Sequence, residues 1–129
     1  MRFLIFLTAL CAVVVLPGCT SAPIMNVDNA AVSAGSGKAP TLQQVRGAII
    51  AAGGSLGWQM KDEGPSMLVG TLMLRNHTAV VDIPYSTTSY SIKYHSSVNL
   101  NEGGGKIHKN YNGWIQNLTQ AINRQLASL

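Results

Sequence analysis

The chain has 129 residues, of which 47% are hydrophobic and 11% charged, with a formal net charge of +4. That length fits one domain rather than two, and the apolar fraction excludes disorder along the whole chain. The positive charge is too modest for a nucleic-acid-binding stripe, so nucleic acid is not an expected partner.

Residues 1–18 carry a single charge, Arg2. Phe3 to Leu16 is an apolar run broken only by Thr8 and Cys11. A helix needs about 20 residues to cross the hydrocarbon core, so this run is short for a membrane span and has the size of the apolar part of an export signal. It ends in Leu16-Pro17-Gly18-Cys19, followed by Thr20 and Ser21. The ending resembles the lipobox of bacterial lipoproteins, an aliphatic residue and two mostly small residues before a cysteine, with Pro17 the less usual residue. An ordinary secretory signal with an incidental cysteine is the alternative. The resemblance implies cleavage before Cys19, a diacylglyceryl group on its sulfur, acylation of the new amine, and a chain anchored to a membrane without spanning it. Cys11 then leaves with the signal, so the mature chain has one thiol and no intramolecular disulfide. In Gram-negative lipoproteins an Asp after the cysteine favours the inner membrane, so Thr20 implies the outer membrane.

Residues 19–40 are rich in small residues, Gly and Pro without a sustained period, and read as the lipidated Cys followed by a flexible tether. A single α+β domain is expected over 41–129. Thr41-Leu42-Gln43-Gln44 has the pattern of a capping box. Leu42, Val45, Ile49 and Ala52 follow at helical spacing, and Gly53-Gly54 marks a stop. Four strand-like runs come next: Leu56–Met60, Ala79–Tyr85 and Tyr90–Tyr94 alternate, and Met67–Leu74 is nearly all apolar, as suits an interior strand. With Asn76-His77 as a two-residue hairpin loop, Leu72 faces Val81 and Gly70 faces Ile83. The flanking turns then set Trp58 against Gly70 and Val81 against Ile92. All apolar sets fall on one face. Gly103-Gly104-Gly105 reads as a flexible break. Ile107, Tyr111, Trp114, Ile115, Leu118, Ile122 and Leu126 form a helical stripe beyond it. The expected order is α-β-β-β-β-α, a four-stranded antiparallel meander with two helices on one face.

Arg75, His77, Ala79, Tyr85, Tyr90, Ile92, Tyr94, Asn99-Leu100, Ile107-His108, Tyr111-Asn112 and Trp114-Ile115 together resemble a pattern in small exported proteobacterial proteins, many with lipoboxes. The likeness covers roughly residues 67–122. It implies a fold and an envelope address and no reaction. Two helices on a four-stranded sheet are also loosely similar to domains of lipoproteins that assist outer-membrane barrel assembly, a likeness of fold alone.

Candidate chemistry is sparse. The acids after the signal are Asp28, Asp62, Glu63, Asp82 and Glu102, with no pair placed to converge as glycosidase chemistry requires. Asp82 falls on the outer sheet face, diagonal to Lys93, as a solvated pair. His77 and His95 are expected at one end of the sheet, where a metal would need a third ligand such as His108. Gly103-Gly104-Gly105-Lys106 lacks the spacing and hydroxyl of a phosphate-binding loop. Lys106, His108 and Lys109 crowd a predicted helix start, where they form a candidate anion site for a lipid headgroup or a cell-wall carboxylate. The aromatic residues Trp58, Tyr85, Tyr90, Tyr94, Tyr111 and Trp114 fall on buried faces, with a sugar-stacking platform as the alternative. Met67, Val69, Met73 and Val80 point away from the helices and form an apolar outer face, either covered by the tether or suited to a partner or a second copy.

The functional expectation is a membrane-anchored, non-enzymatic binding or scaffolding module of the bacterial envelope, needing no cofactor. It would be held by lipid on Cys19 at the outer membrane, facing the periplasm. Its partners would be an envelope protein, cell wall, lipid headgroups or a second copy of itself. The alternative is a small metal-dependent or cell-wall hydrolase using His77 and His95.

Overall fold

The computed structural model describes residues 20–129; the signal-like run and Cys19 lie outside the described residues. Among the described residues the elements are β1 (Ser21–Pro23), β2 (Val27–Ala31), α1 (Leu42–Ser55), β3 (Gln59–Asp62), β4 (Met67–Leu74), β5 (His77–Pro84), β6 (Ser89–Val98), β7 (Lys106–His108) and α2 (Lys109–Ala127). The fold is α+β, and β3 to β6 form the expected antiparallel meander.

The capping box at Thr41 is formed. Its hydroxyl accepts from the Gln44 amide at 3.1 Å, and the Gln44 side chain accepts from the Thr41 amide at 2.9 Å. Val45, Ala48, Ile49 and Ala52 then bury one helical face. The helix does not stop at Gly53-Gly54 but runs through both to Ser55. Gly53 is buried where a Cβ would meet the Met60 side chain, so the missing side chain lets α1 approach β3 closely.

Leu68 and Leu72 of β4, Ala79, Val81 and Ile83 of β5, and Tyr90 and Ile92 of β6 share one cluster with the buried faces of both helices. The faces are as expected, but each hairpin register differs by two residues. Leu72 faces Ala79, Gly70 faces Val81 and Leu68 faces Ile83. Met60, not Trp58, lies opposite Gly70, and Val81 lies opposite Tyr94. The β4–β5 loop is Arg75-Asn76, with Arg75 in the left-handed region at φ 58°. A strand repeats its faces every two residues, so a slip of two preserves every inside–outside assignment. A Cβ on Gly70 would sit 3.1 Å from Met60 Sδ and 3.2 Å from Val81 Cγ2, so the space it leaves is filled by Met60.

The reading of residues 20–40 as a flexible tether is corrected. β2 pairs antiparallel with β6 and makes the sheet five-stranded, in the order β2-β6-β5-β4-β3, while β1 pairs with β7 in a small second sheet. Ile24, Met25, Val27, Ala30 and Val32 pack against the main core. Their spacing is irregular because β2 shifts register between Val27 and Ala30. The folded domain therefore includes residues 20–40 rather than starting at Thr41. α1 leads from β2 at one sheet edge to β3 at the other.

Gly103–Gly105 is a tight hairpin turn rather than a flexible break. Gly103 and Lys106 exchange backbone hydrogen bonds of 2.9 and 3.0 Å around Gly104 and Gly105, both at positive φ. Paired left-handed residues match the twist of adjoining strands. Ile107, expected at the start of the helical stripe, is instead the buried residue of β7.

Candidate functional site

The segment that follows Cys19 is stitched to the junction of β7 and α2. The Thr20 carbonyl accepts from the Lys109 amide at 2.8 Å, and the Ile24 amide donates to the Gly105 carbonyl at 3.0 Å. Between them Ser21 pairs with His108 and Pro23 with Lys106. Asn112, in the first turns of α2, clamps the strand from the side. Its Oδ1 accepts from the Met25 amide at 3.0 Å, and its Nδ2 donates to the Pro23 carbonyl at 2.9 Å. Asn26 Oδ1 accepts from the Tyr94 amide at 2.8 Å where the β2–β6 ladder is irregular. Asn29, at φ 51°, donates its amide to the buried Ser91 hydroxyl at 2.9 Å. Side-chain amides and the Ser91 hydroxyl thus complete backbone pairing that the irregular strands leave open.

The three residues of the candidate anion site come together at this junction, although only Lys109 belongs to the helix. His108 is the N-cap, and its Nδ1 accepts from the Asn110 amide at 3.2 Å. Lys106 and Lys109 are exposed and carry the charge of the corner.

The same end of the sheet gathers other chain segments. The Arg75-Asn76 turn, the end of β6, the start of α2 and the exit from α1 all lie here. The His77 Nδ1 donates to the Asn99 carbonyl at 2.8 Å, and its ring centroid is 6.5 Å from that of Trp114. Trp114 lines a pocket of about 70 Å³ with Leu56, Trp58, Leu72 and Asn117. Met73 pairs with Thr78, which pairs with Val98 on its other side. The large exposed apolar residues among those described are Leu56, Met73, Leu74 and Val98, and all of them are at this end. Sequence reasoning missed Leu56 and Leu74 because spacing sets them on the apolar strand faces, and Val98 because it lies beyond Tyr90–Tyr94; all three take their exposure from the edge of the fold. Asn112 carried no local signal.

His77 and His95 do not meet. His77 alternates with the buried Ala79, Val81 and Ile83, so it lies on the helix face of β5. His95 is the extra residue of a β-bulge, and its Nδ1 lies 3.0 Å from a carboxylate oxygen of Asp82 on the opposite face. Among the described residues there is no cluster of three or more His, Cys, Asp or Glu able to hold a metal. Asp82 lies directly opposite Lys93, not diagonal to it.

Met67, Val69, Met73 and Val80 face away from the helices as expected; the first two and Val80 are half-buried by their neighbours, and Met73 is exposed. Of the aromatic residues, Trp58, Tyr85, Tyr90 and Tyr111 are buried, whereas Tyr94 and Trp114 are only partly covered. Tyr90 donates to Asn123 Oδ1 at 2.7 Å. The buried Tyr111 hydroxyl has no hydrogen-bond partner among the described residues, and its burial beside Tyr94 pushes its pKa well up. At the other end of the sheet Arg46 and Asp62 form a two-pronged ion pair at 2.6 and 2.8 Å, and the hydrogen bonds from Arg46 hold the Asp62 carboxyl below its ordinary value.

No protein-family model, curated protein or solved structure matches the chain.

Proposed function

We propose that the protein is a lipid-anchored lipoprotein of the bacterial envelope, acylated on Cys19, whose domain serves as a non-enzymatic binding or scaffolding module. The observation that carries the reading is the lipobox-like Leu16-Pro17-Gly18-Cys19 at the end of an export-length apolar run. Two or more acyl chains give stable attachment without a membrane-spanning helix. Thr20 favours the outer membrane, with the domain facing the periplasm. The module would meet an envelope protein, the cell wall, lipid headgroups or a second copy, and the apolar outer face around Met67, Val69 and Val80 is the surface offered to a protein partner.

The test is metabolic labelling of cells with an alkyne analogue of palmitate, followed by separation of inner and outer membranes. The native chain should take up label and travel with outer-membrane markers, and the Cys19→Ser variant should take up none. Equal labelling of both chains, or an unlabelled native chain, would overturn the anchor. Label found with inner-membrane markers would overturn the address.

A further inference from the structure

We propose that the sheet end bearing Leu56, Met73, Leu74 and Val98, with Arg75, Lys106 and Lys109 beside them, is a membrane-contact surface that lies on the bilayer holding the Cys19 lipid. The proposal rests on the lipid anchor argued above and adds how the domain sits on that membrane. A disordered tether would let the domain drift about 25 Å away and present any side. The structure leaves no such slack. Thr20 is already fixed to Lys109 through its carbonyl, and Cys19 precedes Thr20 by one peptide unit, a span of about 3.8 Å between Cα atoms. The lipid therefore leaves the domain at the β7–α2 corner, and that corner faces the bilayer.

The surface chemistry at this end matches that orientation. The exposed large apolar residues of the described chain lie here and not at the opposite end. They come from both faces of the sheet and from the α1 exit, so they mark the end of the fold rather than one face of it. Arg75, Lys106 and Lys109 are exposed among them, against one acid, Glu102. Apolar side chains entering the acyl boundary with cations at headgroup level is the arrangement of proteins that lie on a membrane, and anionic lipids add attraction to it. The opposite end carries the Glu63–Ser66 turn and the Arg46–Asp62 pair. The domain would stand with its strands rising from the membrane and that end held furthest from it.

The test uses the full acylated chain in vesicles of phosphatidylethanolamine and phosphatidylglycerol. Met73→Cys, Val98→Cys and Ser66→Cys each supply one labelling site, because the Cys19 sulfur is already alkylated. An environment-sensitive fluorophore at 73 or 98 should shift to the blue on reconstitution and be quenched by spin-labelled lipid, while the label at 66 stays as in water. If 73 and 98 behave like 66 while the protein floats with the vesicles and has its acyl mass, the contact surface is overturned and the anchor stands. If the chain is neither acylated nor vesicle-bound, the anchor fails and the contact surface fails with it. Replacing Lys106→Glu and Lys109→Glu together should reduce quenching at 73 in these vesicles and leave it unchanged in phosphatidylcholine. Unchanged quenching in the anionic vesicles would overturn the role of the cations.

Discussion

Asn112→Ala removes two hydrogen bonds at once, from Oδ1 to the Met25 amide and from Nδ2 to the Pro23 carbonyl. At a net ~0.5–1.5 kcal/mol each, the clamp contributes about 1–3 kcal/mol. The loss should be felt locally, because both bonds from Asn112 go to the N-terminal segment. β1 would still pair with β7 but would open more often. Native-state hydrogen exchange reads this directly. Exchange at the Met25 amide should accelerate by roughly 5- to 150-fold, the equivalent of that energy. The Lys109 amide, bonded to Thr20, should follow, while amides within β4 and β5 keep their rates. Unchanged exchange at Met25 would refute the idea that a side-chain clamp, rather than strand pairing alone, orders the segment next to the anchor.

Tyr111→Phe deletes a buried hydroxyl without a partner among the described residues, so urea melts should show unchanged or slightly higher stability rather than the usual loss. Trp58, 4% exposed, should cost ~3–5 kcal/mol on truncation to Ala, and the half-covered Trp114 should cost clearly less in the same assay. Asp62→Asn should change stability little, because the Arg46 pair is exposed. The Asp62 carboxyl is held below its ordinary 3.8 in the folded chain, so the stability of the pair is fully present above that value and lost as pH falls through the folded pKa. Melting curves of the native chain and Asp62→Asn should therefore converge only in strong acid.

Much of the fold was legible because it rests on local or face-level signals. Thr41 and Gln44 announce the start of α1 in four residues, and Tyr111, Ile115, Leu118, Ile122 and Leu126 write the buried stripe of α2. The strand registers were not legible, since moving Val81 from Leu72 to Gly70 keeps every side chain on its face. β2 was hidden for a different reason. Val-Asp-Asn-Ala-Ala has no alternation, and it becomes a strand only because the β6 edge is open and the Asn26 and Ser91 side chains bridge its irregularity. Ile107 lies four residues before Tyr111, so helical spacing claims it; the paired left-handed glycines before it decide for a strand. At the candidate site the cations of the corner were legible, but their nearness to the anchor depends on the ordering of residues 20–31.

Acylation of Cys19 is what would hold this protein at a membrane, and mass spectrometry of the membrane-extracted protein tests it most directly. Trypsin has no Lys or Arg to cut after between Thr20 and Lys38. The predicted N-terminal peptide therefore begins at Cys19, ends at Lys38, and is heavier than its bare sequence by a diacylglyceryl group and an amide-linked acyl chain. An unmodified peptide from this region, or a mature chain that keeps residues 1–18, would contradict it.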